Sequence, residues 1–287
     1  MMIKATTYLV AFTTLALVAS ACSGGSNGAS EGTATPSGSS SGDTTACLDG
    51  APSLEEMKIK DGLFVASSLD FEPFEFVEDG KPSGFDIDLV NAIAKKLCAP
   101  EPQITNIGFD TVIPQVQSGQ QTLGVSAITI TDERKETVAF SKPYFNADQS
   151  LLVASDSTLK GVNDLTADLR VGVAAGTTGE LWAKEHVTDA SIQSFPTTGA
   201  AFQALTAGQI DAVINDKTVT AEQEALGNGK IVETIDTGES YGIAVQKGND
   251  ALVTGIDMAI DALKESGEYD TIYSTYFKGA ASESPSE

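Results

Sequence analysis

Strand-like and helix-like stretches alternate along this chain in two series, and this alternation restricts the fold more than any other feature. Apolar β-type runs give way to stretches in which apolar side chains recur every three or four residues. Such alternation is typical of α/β units in which helices cover largely parallel sheets. Two series in one chain predict two lobes. The first series comprises a β-type run at the start of GLFVASSLDFEPFEF, a helix in GFDIDLVNAIAKKLC, a strand near Gln103–Ile107, a helix over Val112–Gln117, a strand over Leu123–Ile128 and a strand after Pro143, and the second comprises LRVGVAAGTTGELWAKEH, GAAFQALTAGQIDAVIND and YGIAVQKGN.

The stretch GFDIDLVNAIAKKLC shows the helical period most clearly. Its apolar side chains fall on one face of a helix, which predicts that the helix packs on a sheet. Asp86 or Ser83 can cap the start of this helix, and Lys95 and Lys96 suit its end. The predicted apolar face consists of Ile87, Val90, Ile93, Ala94 and Leu97.

Two segments of the chain resemble each other, VIPQVQSGQQTLGVSA and AFQALTAGQIDAVIND. Each runs from a helical pattern through a Gly-Gln pair to a strand that ends in a polar residue. Chance similarity is the alternative, because helix–turn–strand units share such patterns without shared ancestry. If the two units correspond, their strand ends face each other across a cleft, which is where α/β sheets bind ligands.

The first residues are typical of a bacterial export signal. A short basic start precedes an apolar run, Ala5–Val18, that is too short for a comfortable transmembrane span. Small residues directly before Cys22 resemble a lipobox, in which that cysteine carries the lipid, although Ala19 stands where Leu is more common. We predict a lipoprotein signal peptide at 1–21, with a plain secretory signal as the alternative.

Residues 22–46 consist mostly of Ser, Gly, Thr and Ala. Such a segment buries too little apolar surface to offset the entropy of ordering it, so we predict a flexible tether. Two further cysteines follow, Cys47 and Cys98. In an exported protein this pair predicts one disulfide, and two unpaired buried thiols are the alternative.

The chain carries 17 basic and 40 acidic residues, a formal net charge of −23. An acidic surface of this kind repels nucleic acid and anionic lipid head groups, so neither is expected as a partner. The single histidine, His186, lies in a charge-rich helix and is expected to be exposed, and no metal-ligand cluster or nucleophile motif accompanies it in the sequence. We therefore predict binding without catalysis, cofactor or metal.

The stretch SAITITDER combines hydroxyl side chains with one arginine directly after an apolar strand-like run. Arg134 offers a planar fork of donors that fits a carboxylate at two points. The hydroxyls of Ser126 and Thr129, with backbone N–H groups at the strand end, would complete an anion site. The alternative is a surface ion pair of Arg134 with Asp132 or Glu133.

A second candidate anion site is AAGTTGE. Thr177 followed by Glu180 predicts a capping box at a helix N-terminus, where free N–H groups bind anions, and an ordinary helix cap is the alternative. Asp216 ends the strand DAVIND and can accept hydrogen bonds from an ammonium group, with a turn-forming role as the alternative. Phe71 and Phe109 follow strands and can flank an apolar side chain, unless they pack in the core.

Five segments, in this order, resemble sequence blocks of the family 3 solute-binding proteins, the extracytoplasmic receptors of polar amino acid ABC transporters. They are GFDIDLVNAIAKKL, SAITITDERK, VGVAAGTTGE, GQIDAVINDK and SGEYDTIYSTYF, and the resemblance covers residues 58–279. It implies an α/β, two-lobed periplasmic binding protein-like fold of type II, with the ligand cleft between lobes that two hinge strands join. The expected bounds are 47–149 with 244–280 for lobe 1, 150–243 for lobe 2, 281–287 for a disordered tail, and Phe145–Val153 and Ser240–Val245 for the hinge strands.

The resemblance also implies a role for each candidate residue. Arg134 would bind the α-carboxylate of an amino acid, and Asp216 its α-ammonium group. Phe71 and Phe109 would border the side chain, while hydroxyl and backbone groups of both lobes complete the site. The expected ligand-binding set is Ser68, Phe71, Phe109, Ser126, Ala127, Thr129, Arg134, Thr177, Thr178 and Asp216.

Ser68 stands where family members that bind cationic or amide side chains often carry Asp. Without that carboxylate, a buried Lys or Arg side chain lacks its charge partner, which costs several kcal/mol. We therefore predict a polar uncharged or acidic ligand rather than a basic one, although Asp70 and Glu72 lie close by in the sequence.

The family resemblance implies that the lobes close on an amino acid and deliver it to a membrane permease. The expected partners are therefore the amino acid, the permease and the membrane, the last through the lipid anchor alone. The protein is expected to be a monomer on the extracytoplasmic side. Two alternatives remain, an amino acid-sensing lipoprotein and an enzyme that resembles cyclohexadienyl dehydratases on the same fold.

Overall fold

A computed structural model describes residues 47–277 of the chain. The predicted signal peptide, Cys22, the tether and the tail at 281–287 lie outside these residues. The described residues form two five-stranded sheets and a two-stranded hairpin, with helices packed around them. The fold is therefore α/β, as the alternating patterns predicted, and one lobe is built around each sheet.

Most strands and helices have bounds close to those expected from the patterns. The strands are β1 (Leu63–Ser67), β2 (Phe76–Glu78), β3 (Lys81–Ser83), β4 (Pro102–Asn106), β5 (Leu123–Gly124), β6 (Ala139–Phe140), β7 (Phe145–Val153), β8 (Arg170–Ala174), β9 (Ser191–Phe195), β10 (Ala212–Asp216), β11 (Lys230–Tyr241) and β12 (Ala244–Val245). The helices are α1 (Phe85–Lys96), α2 (Phe109–Gln117), α3 (Asp132–Thr137), α4 (Thr178–His186), α5 (Thr198–Thr206), α6 (Lys217–Ala225), α7 (Asp250–Ser266) and α8 (Glu268–Tyr276). In this part of the chain, no helix has both the length and the apolar character needed to cross a membrane.

The first sheet has the strand order β4-β1-β5-β12-β6. Strand β1 runs parallel to β4 and β5, while β12 runs antiparallel to β5 and β6. Strand β12 comes late in the sequence, so the chain returns to the first lobe after building the second. The last two helices, α7 and α8, then pack against α1.

Two strands of the first lobe are shorter than predicted. The strand expected over Leu123–Ile128 pairs regularly only in β5, although the N–H of Val125 still donates to the carbonyl of Ala66 at 3.0 Å. Ala127 has a φ of 44°, in the left-handed region, and turns the chain out of the sheet. The single strand expected in YGIAVQKGN is also wrong, because Tyr241 ends β11 and only β12 joins the first sheet.

The second sheet has the order β11-β7-β10-β8-β9. Strands β8, β9 and β10 are parallel, and β7 runs antiparallel to both β10 and β11. Within the described residues the chain passes between the two sheets twice, through 141–144 and 242–243. These connections adjoin β7 and β11, where the hinge strands were expected.

For helix α1, the prediction of its N-terminal cap is wrong and the prediction of its apolar face is confirmed. Its N-terminus follows Gly84, and no side chain caps it, so the prediction that Asp86 or Ser83 caps the helix is wrong. Asp86 instead points into the protein, where its Oδ2 accepts hydrogen bonds from the N–H of Ala127 and the hydroxyl of Tyr144, each at 2.7 Å. The predicted apolar face of the helix is confirmed, since all of its side chains are buried.

An aromatic cluster packs around the start of β7 and the end of β11. Phe145 and Tyr241 stack with their ring centroids 5.6 Å apart. Phe74 lies edge-on to both rings, at 4.8 and 5.2 Å. Such pairs add about 0.5–1.5 kcal/mol each beyond the apolar area that they bury. The other members of the cluster are Phe85, Tyr144, Tyr269, Tyr273 and Phe277.

The disulfide predicted between Cys47 and Cys98 is confirmed. It joins the first described residue to the turn that follows α1. Beside it, the N–H of Leu48 donates to the carbonyl of Lys96 at 2.9 Å. The start of the described chain is therefore held to the first lobe.

Replacing both Cys47 and Cys98 by Ser should lower the free energy of unfolding by about 2–4 kcal/mol, because the unfolded chain is no longer crosslinked. The two cysteines are 51 residues apart, so the crosslink closes a long loop. Urea unfolding of the variant and of wild type, each with and without reductant, measures the effect. Equal unfolding free energies for oxidised wild type and the double variant would contradict the prediction.

Candidate functional site

A cavity of about 30 Å³ lies between the two lobes, at the ends of strands from both sheets. All ten residues of the predicted ligand-binding set line this cavity, together with Asp70, Glu75 and Thr198, which the sequence analysis did not select. Their contact with a ligand stays a prediction. The internal resemblance of two helix–turn–strand units fits this geometry, because β5 and β10 both end at the cavity.

The first-lobe wall contains a chain of hydrogen bonds that begins at β1. The N–H of Ser68 donates to the hydroxyl oxygen of Ser126 at 3.0 Å. That hydroxyl donates in turn to Oε1 of Glu75, also at 3.0 Å. The next residue, Ala127, gives its N–H to Asp86. The Ser126 hydroxyl and the Ala127 N–H, which we expected to contact the ligand, therefore already have hydrogen-bond partners within the protein.

Arg134 lies at the N-terminal turn of α3 and points toward the second lobe. Its Nη1 donates to the carbonyl of Thr129 at 2.8 Å, and its guanidinium carbon lies 5.4 Å from the centre of the Phe109 ring. Among the described residues, no ion pair joins Arg134 to Asp132 or Glu133, so the surface-pair alternative is wrong. Burial lowers the pKa of the Arg134 guanidinium from its ordinary value, and nearby acids oppose that shift.

Hydrogen bonds cross the cleft from the first lobe to the second. Nη2 of Arg134 donates to the carbonyl of Gly176 at 3.0 Å, and the N–H of Thr198 donates to Oδ2 of Asp70 at 2.9 Å. The hydroxyl oxygens of Thr129 and Thr178 lie 3.3 Å apart. These contacts hold the two lobes together around the cavity.

Helix α4 presents its N-terminus to the cavity from the second lobe. Thr177 caps the helix, since its hydroxyl accepts the N–H of Glu180 at 3.1 Å. The return bond of the capping box is displaced by one residue, because Oε2 of Glu180 accepts the N–H of Gly176 at 2.8 Å. The predicted cap is therefore confirmed, and it places Thr177 and Thr178 at the cavity wall.

Asp216 ends β10 and is a buried acid in the cavity wall. Its two carboxylate oxygens accept hydrogen bonds from Nε2 of Gln149 and from the hydroxyl of Tyr241. The side chain does not cap the following helix, so the turn-forming alternative is wrong. Burial raises the pKa of Asp216 to about 6, with the Tyr241 hydrogen bond opposing the shift and the charge of Glu239 adding to it.

Glu239 is a further acid near the cavity that the sequence analysis missed. It lies on β11, and its Oε2 accepts hydrogen bonds from Gln149 and from the hydroxyl of Thr178, both at 3.1 Å. Burial raises the pKa of Glu239, while these two hydrogen bonds lower it. Gln149 and Glu239 lie within β7 and β11, so their sequence context gave no signal beyond a strand pattern.

The sequence left two interpretations open for Phe71 and Phe109, flanking a ligand side chain or packing in the core, and the structure fits both. Both rings line the cavity. Phe71 also packs against the main core and lies 6.0 Å from Phe74, and Phe109 packs against a smaller core cluster. The two roles coexist because each ring stands at the boundary between core and cavity.

His186 lies away from the cavity. Its exposed ring stacks on Trp182 with the centroids 4.5 Å apart, which confirms the predicted exposure. Within residues 47–277, no group of three or more His, Cys, Asp and Glu side chains is arranged to hold a metal ion.

The chain matches the family described as bacterial extracellular solute-binding proteins, family 3, over residues 63–279. A probable histidine-binding protein of Neisseria gonorrhoeae is 34% identical over 224 residues, which cover 74% of this chain and 82% of that protein. The ABC transporter glutamine-binding protein GlnH of Bacillus subtilis (strain 168) is 37% identical over 202 residues, covering 69% of this chain and 74% of that protein. The crystal structure of an ancestral amino acid-binding protein, AncCDT-1, a precursor of cyclohexadienyl dehydratase, aligns with a TM-score of 0.74 and 36% identity, covering 78% of this chain and 99% of that one.

The raised pKa of Asp216 predicts a specific dependence of stability on pH. Between its unfolded value of 3.8 and its folded value of about 6, the native state holds a proton that the unfolded state has lost. The stabilisation that this bound proton gives the native state is present in full below pH 3.8 and is lost as the pH rises to about 6. The free energy of unfolding of wild type, relative to Asp216→Asn, should therefore fall by about 3 kcal/mol across that window.

Urea unfolding of both proteins at closely spaced pH values from acid to neutral measures this difference. Tyr241→Phe is a matched control, because it removes a hydrogen bond that lowers the pKa of Asp216 and should extend the window to higher pH. A difference between wild type and Asp216→Asn that does not change with pH would show that Asp216 titrates normally.

Proposed function

The chain belongs to the bacterial extracellular solute-binding proteins, family 3, and from this membership we propose that it captures a polar amino acid and delivers it to the permease of an ABC transporter. Its two lobes have the α/β, type II periplasmic binding protein-like fold of its structural relatives. The observation that carries the proposal is the pair of opposite charges, Arg134 and Asp216, that line one cavity from different lobes.

Arg134 and Asp216 complement the two charges that every free amino acid carries. The guanidinium suits the α-carboxylate as a two-point donor, and the carboxylate suits the α-ammonium group as an acceptor. Thr129, Thr177 and Thr178 line the same cavity. A ligand that contacts both lobes at once favours the closed arrangement through its differential contacts.

The lobe bounds that we propose follow the sequence prediction, 47–149 with 244–280 for lobe 1 and 150–243 for lobe 2. The two sheets and the two connections between them support this division. Closure would then bend the chain at β7 and β11. We propose a monomer, because each chain supplies both walls of its own cavity.

For the side chain of the ligand we propose a polar uncharged group, which is one of the two classes that the sequence admitted. The hydroxyl of Ser68 donates to Oδ1 of Asp70 at 2.8 Å, so the serine contributes no charge for a cation. An acidic side chain would meet Asp70 and Glu75, while Arg134 serves the α-carboxylate.

We propose binding rather than catalysis, with sensing as the remaining alternative. Relatives named as histidine-, glutamine- and arginine-binding proteins support binding. The ancestral relative described as a precursor of cyclohexadienyl dehydratase is itself an amino acid-binding protein. Burial accounts for most of the raised pKa of Asp216, so that shift does not require a catalytic role. Turnover of prephenate or arogenate by the purified protein would contradict this part of the proposal.

The functional test is a thermal-shift screen of residues 47–287 against the twenty amino acids, because a ligand of the native state raises its stability. The ligand found is then measured by calorimetry with Arg134→Ala. We expect the dissociation constant to rise at least about thirtyfold, since the α-carboxylate loses its charged partner. Lys135→Ala is the matched control, because Lys135 is an exposed neighbour that pairs with Asp132 at 3.4 Å.

No thermal shift with any amino acid would contradict the proposed function. An unchanged dissociation constant for Arg134→Ala would leave amino acid binding intact but remove Arg134 from the site.

We propose that Cys22 carries a lipid that anchors the mature protein to the extracytoplasmic face of the cell membrane. Its support is the small-residue segment directly before Cys22 and the extracytoplasmic family. In an expressing bacterium, wild type should take up labelled palmitate and partition into detergent, whereas Cys22→Ala should do neither. Equal labelling of the two proteins would contradict the lipid site.

A further inference from the structure

Two buried acids, Glu75 and Asp86, lie side by side at the first-lobe wall of the cavity. Glu75 is 1% exposed and Asp86 is 0% exposed. Oε1 of Glu75 accepts the hydroxyl of Ser126, and Oδ2 of Asp86 accepts the N–H of Ala127 and the hydroxyl of Tyr144. Each acid has one further oxygen, Oε2 of Glu75 and Oδ1 of Asp86, that receives no N–H or O–H from any other described residue.

The two side chains hydrogen-bond to each other. Two ionised carboxylates carry no hydrogen, so this bond forms only when one of the two groups is protonated. Two negative charges in contact, both removed from water, would strongly disfavour the doubly ionised pair. One proton therefore lies between Glu75 and Asp86 and joins the two oxygens that other groups leave without a donor.

The hydrogen bonds around the pair place this proton on Glu75. Asp86 accepts hydrogen bonds from two other groups, which stabilise its negative charge, whereas Glu75 accepts one. Burial, and then the charge of Asp86, raise the pKa of Glu75 well above its ordinary value. Burial raises the pKa of Asp86 to about 6, and its hydrogen bonds oppose that shift. The other titratable groups that the described residues bring against the pair are acids or phenols, namely Asp70, Tyr144 and Tyr241.

The pair holds the turn that forms part of the cavity wall. Ala127 has a φ of 44°, a conformation that few residues with a side chain adopt, and Asp86 binds its N–H at 2.7 Å. The hydroxyl of Ser126, which donates to Glu75, accepts the N–H of Ser68 at 3.0 Å. Because Ser68, Ser126 and Ala127 all line the cavity, the two acids fix the backbone that a ligand would meet.

The pair also reaches the first connection between the two sheets. Tyr144, whose hydroxyl donates to Asp86, lies in this connection, 141–144. The N–H of Tyr144 donates to the carbonyl of Tyr241 at 2.9 Å, and its own carbonyl accepts the hydroxyl of Tyr269 at 2.6 Å. A change in the charge of Asp86 would therefore act both on the cavity wall and on the chain that joins the sheets.

We propose that Glu75 and Asp86 share a single proton at neutral pH, and that this proton holds Ser126 and Ala127 where they form the ligand-binding wall. Both acids are positioning residues, because they act through Ser126 and Ala127. Loss of the proton would place two negative charges side by side, and their repulsion would displace the wall. Only the effect on affinity rests on the proposed amino acid binding, since the shared proton can be detected without a ligand.

Infrared spectroscopy of the free protein tests the shared proton. At neutral pH, the difference spectrum of wild type minus Glu75→Gln should contain the carbonyl band of one protonated carboxyl group, and subtraction removes the bands of the other acids. Asp88→Asn is the matched control, because Asp88 is an exposed acid on the same helix, and its difference spectrum should contain an ionised carboxylate band. An ionised carboxylate band for Glu75 would overturn the proposal.

A cycle of amide variants tests the positioning role. In Glu75→Gln an NH₂ group can replace the shared O–H, and in Asp86→Asn the NH₂ group can donate to Glu75. Each single variant should therefore weaken amino acid binding by no more than about threefold. The double variant brings two NH₂ groups together without an acceptor between them. It should weaken binding at least about thirtyfold, which is more than the product of the two single effects.

The affinities are measured by calorimetry. Glutamine, glutamate and arginine are the first probes, one for each class of polar side chain, and the other amino acids follow where these do not bind. As the pH is raised from neutral into the alkaline range, the affinity of wild type should fall relative to that of Glu75→Gln, because only wild type has the shared proton to lose. Thermal unfolding shows whether each variant is folded, and this pH comparison decides the question if the double variant does not fold.

Two outcomes would overturn the positioning role. One is that the effects of the two substitutions on affinity multiply without any excess in the double variant. The other is that wild type and Glu75→Gln show the same dependence of affinity on pH. Wild type that binds none of the twenty amino acids would contradict the proposed function and the positioning role together, whereas the infrared spectra would still decide whether the proton is shared.

Discussion

The antiparallel pairing of β7 with β11 is the constraint on which the rest of the molecule depends. The register runs from Phe145 opposite Tyr241, beside the first sheet, to Val153 opposite Lys230 in the second sheet. At one end the aromatic cluster holds the pair, and at the other end β7 also pairs with β10. The same two strands place Gln149, Glu239 and Tyr241 beside Asp216. The strands that connect the lobes therefore also form the acidic side of the cavity.

Burial of acids is the second feature that shapes the cavity. A chain with many more acidic than basic residues buries Glu75, Asp86 and Asp216 and partly buries Glu239, and burial is the leading cause of each raised pKa. Arg134 is the cation in the described cavity wall. This imbalance suits a zwitterion, whose ammonium group adds positive charge and whose carboxylate needs the arginine.

Local patterns predicted well wherever neighbouring residues determine the outcome. The apolar face of α1, the Thr177 cap of α4, the disulfide and the exposure of His186 all follow from spacing or composition. The ten candidate residues, selected from motif positions and a family resemblance, all reach one cavity. The predictions that failed did so because distant groups decided them. Asp86 serves Ala127 and Tyr144 rather than its own helix, and the left-handed turn at Ala127 cuts the predicted strand short.

The sequence by itself determined the α/β class, the two series of units, the family and the side chains with the chemistry to bind an amino acid. These depend on periodicity and on residue type, which the chain carries locally. Only the tertiary structure decided which groups the buried acids meet, because hydrogen bonds between residues far apart in the chain join Asp70 to Thr198 and Asp216 to Tyr241. It also decided their protonation, since the pKa of a carboxyl group depends on burial and on charges that only folding brings near it.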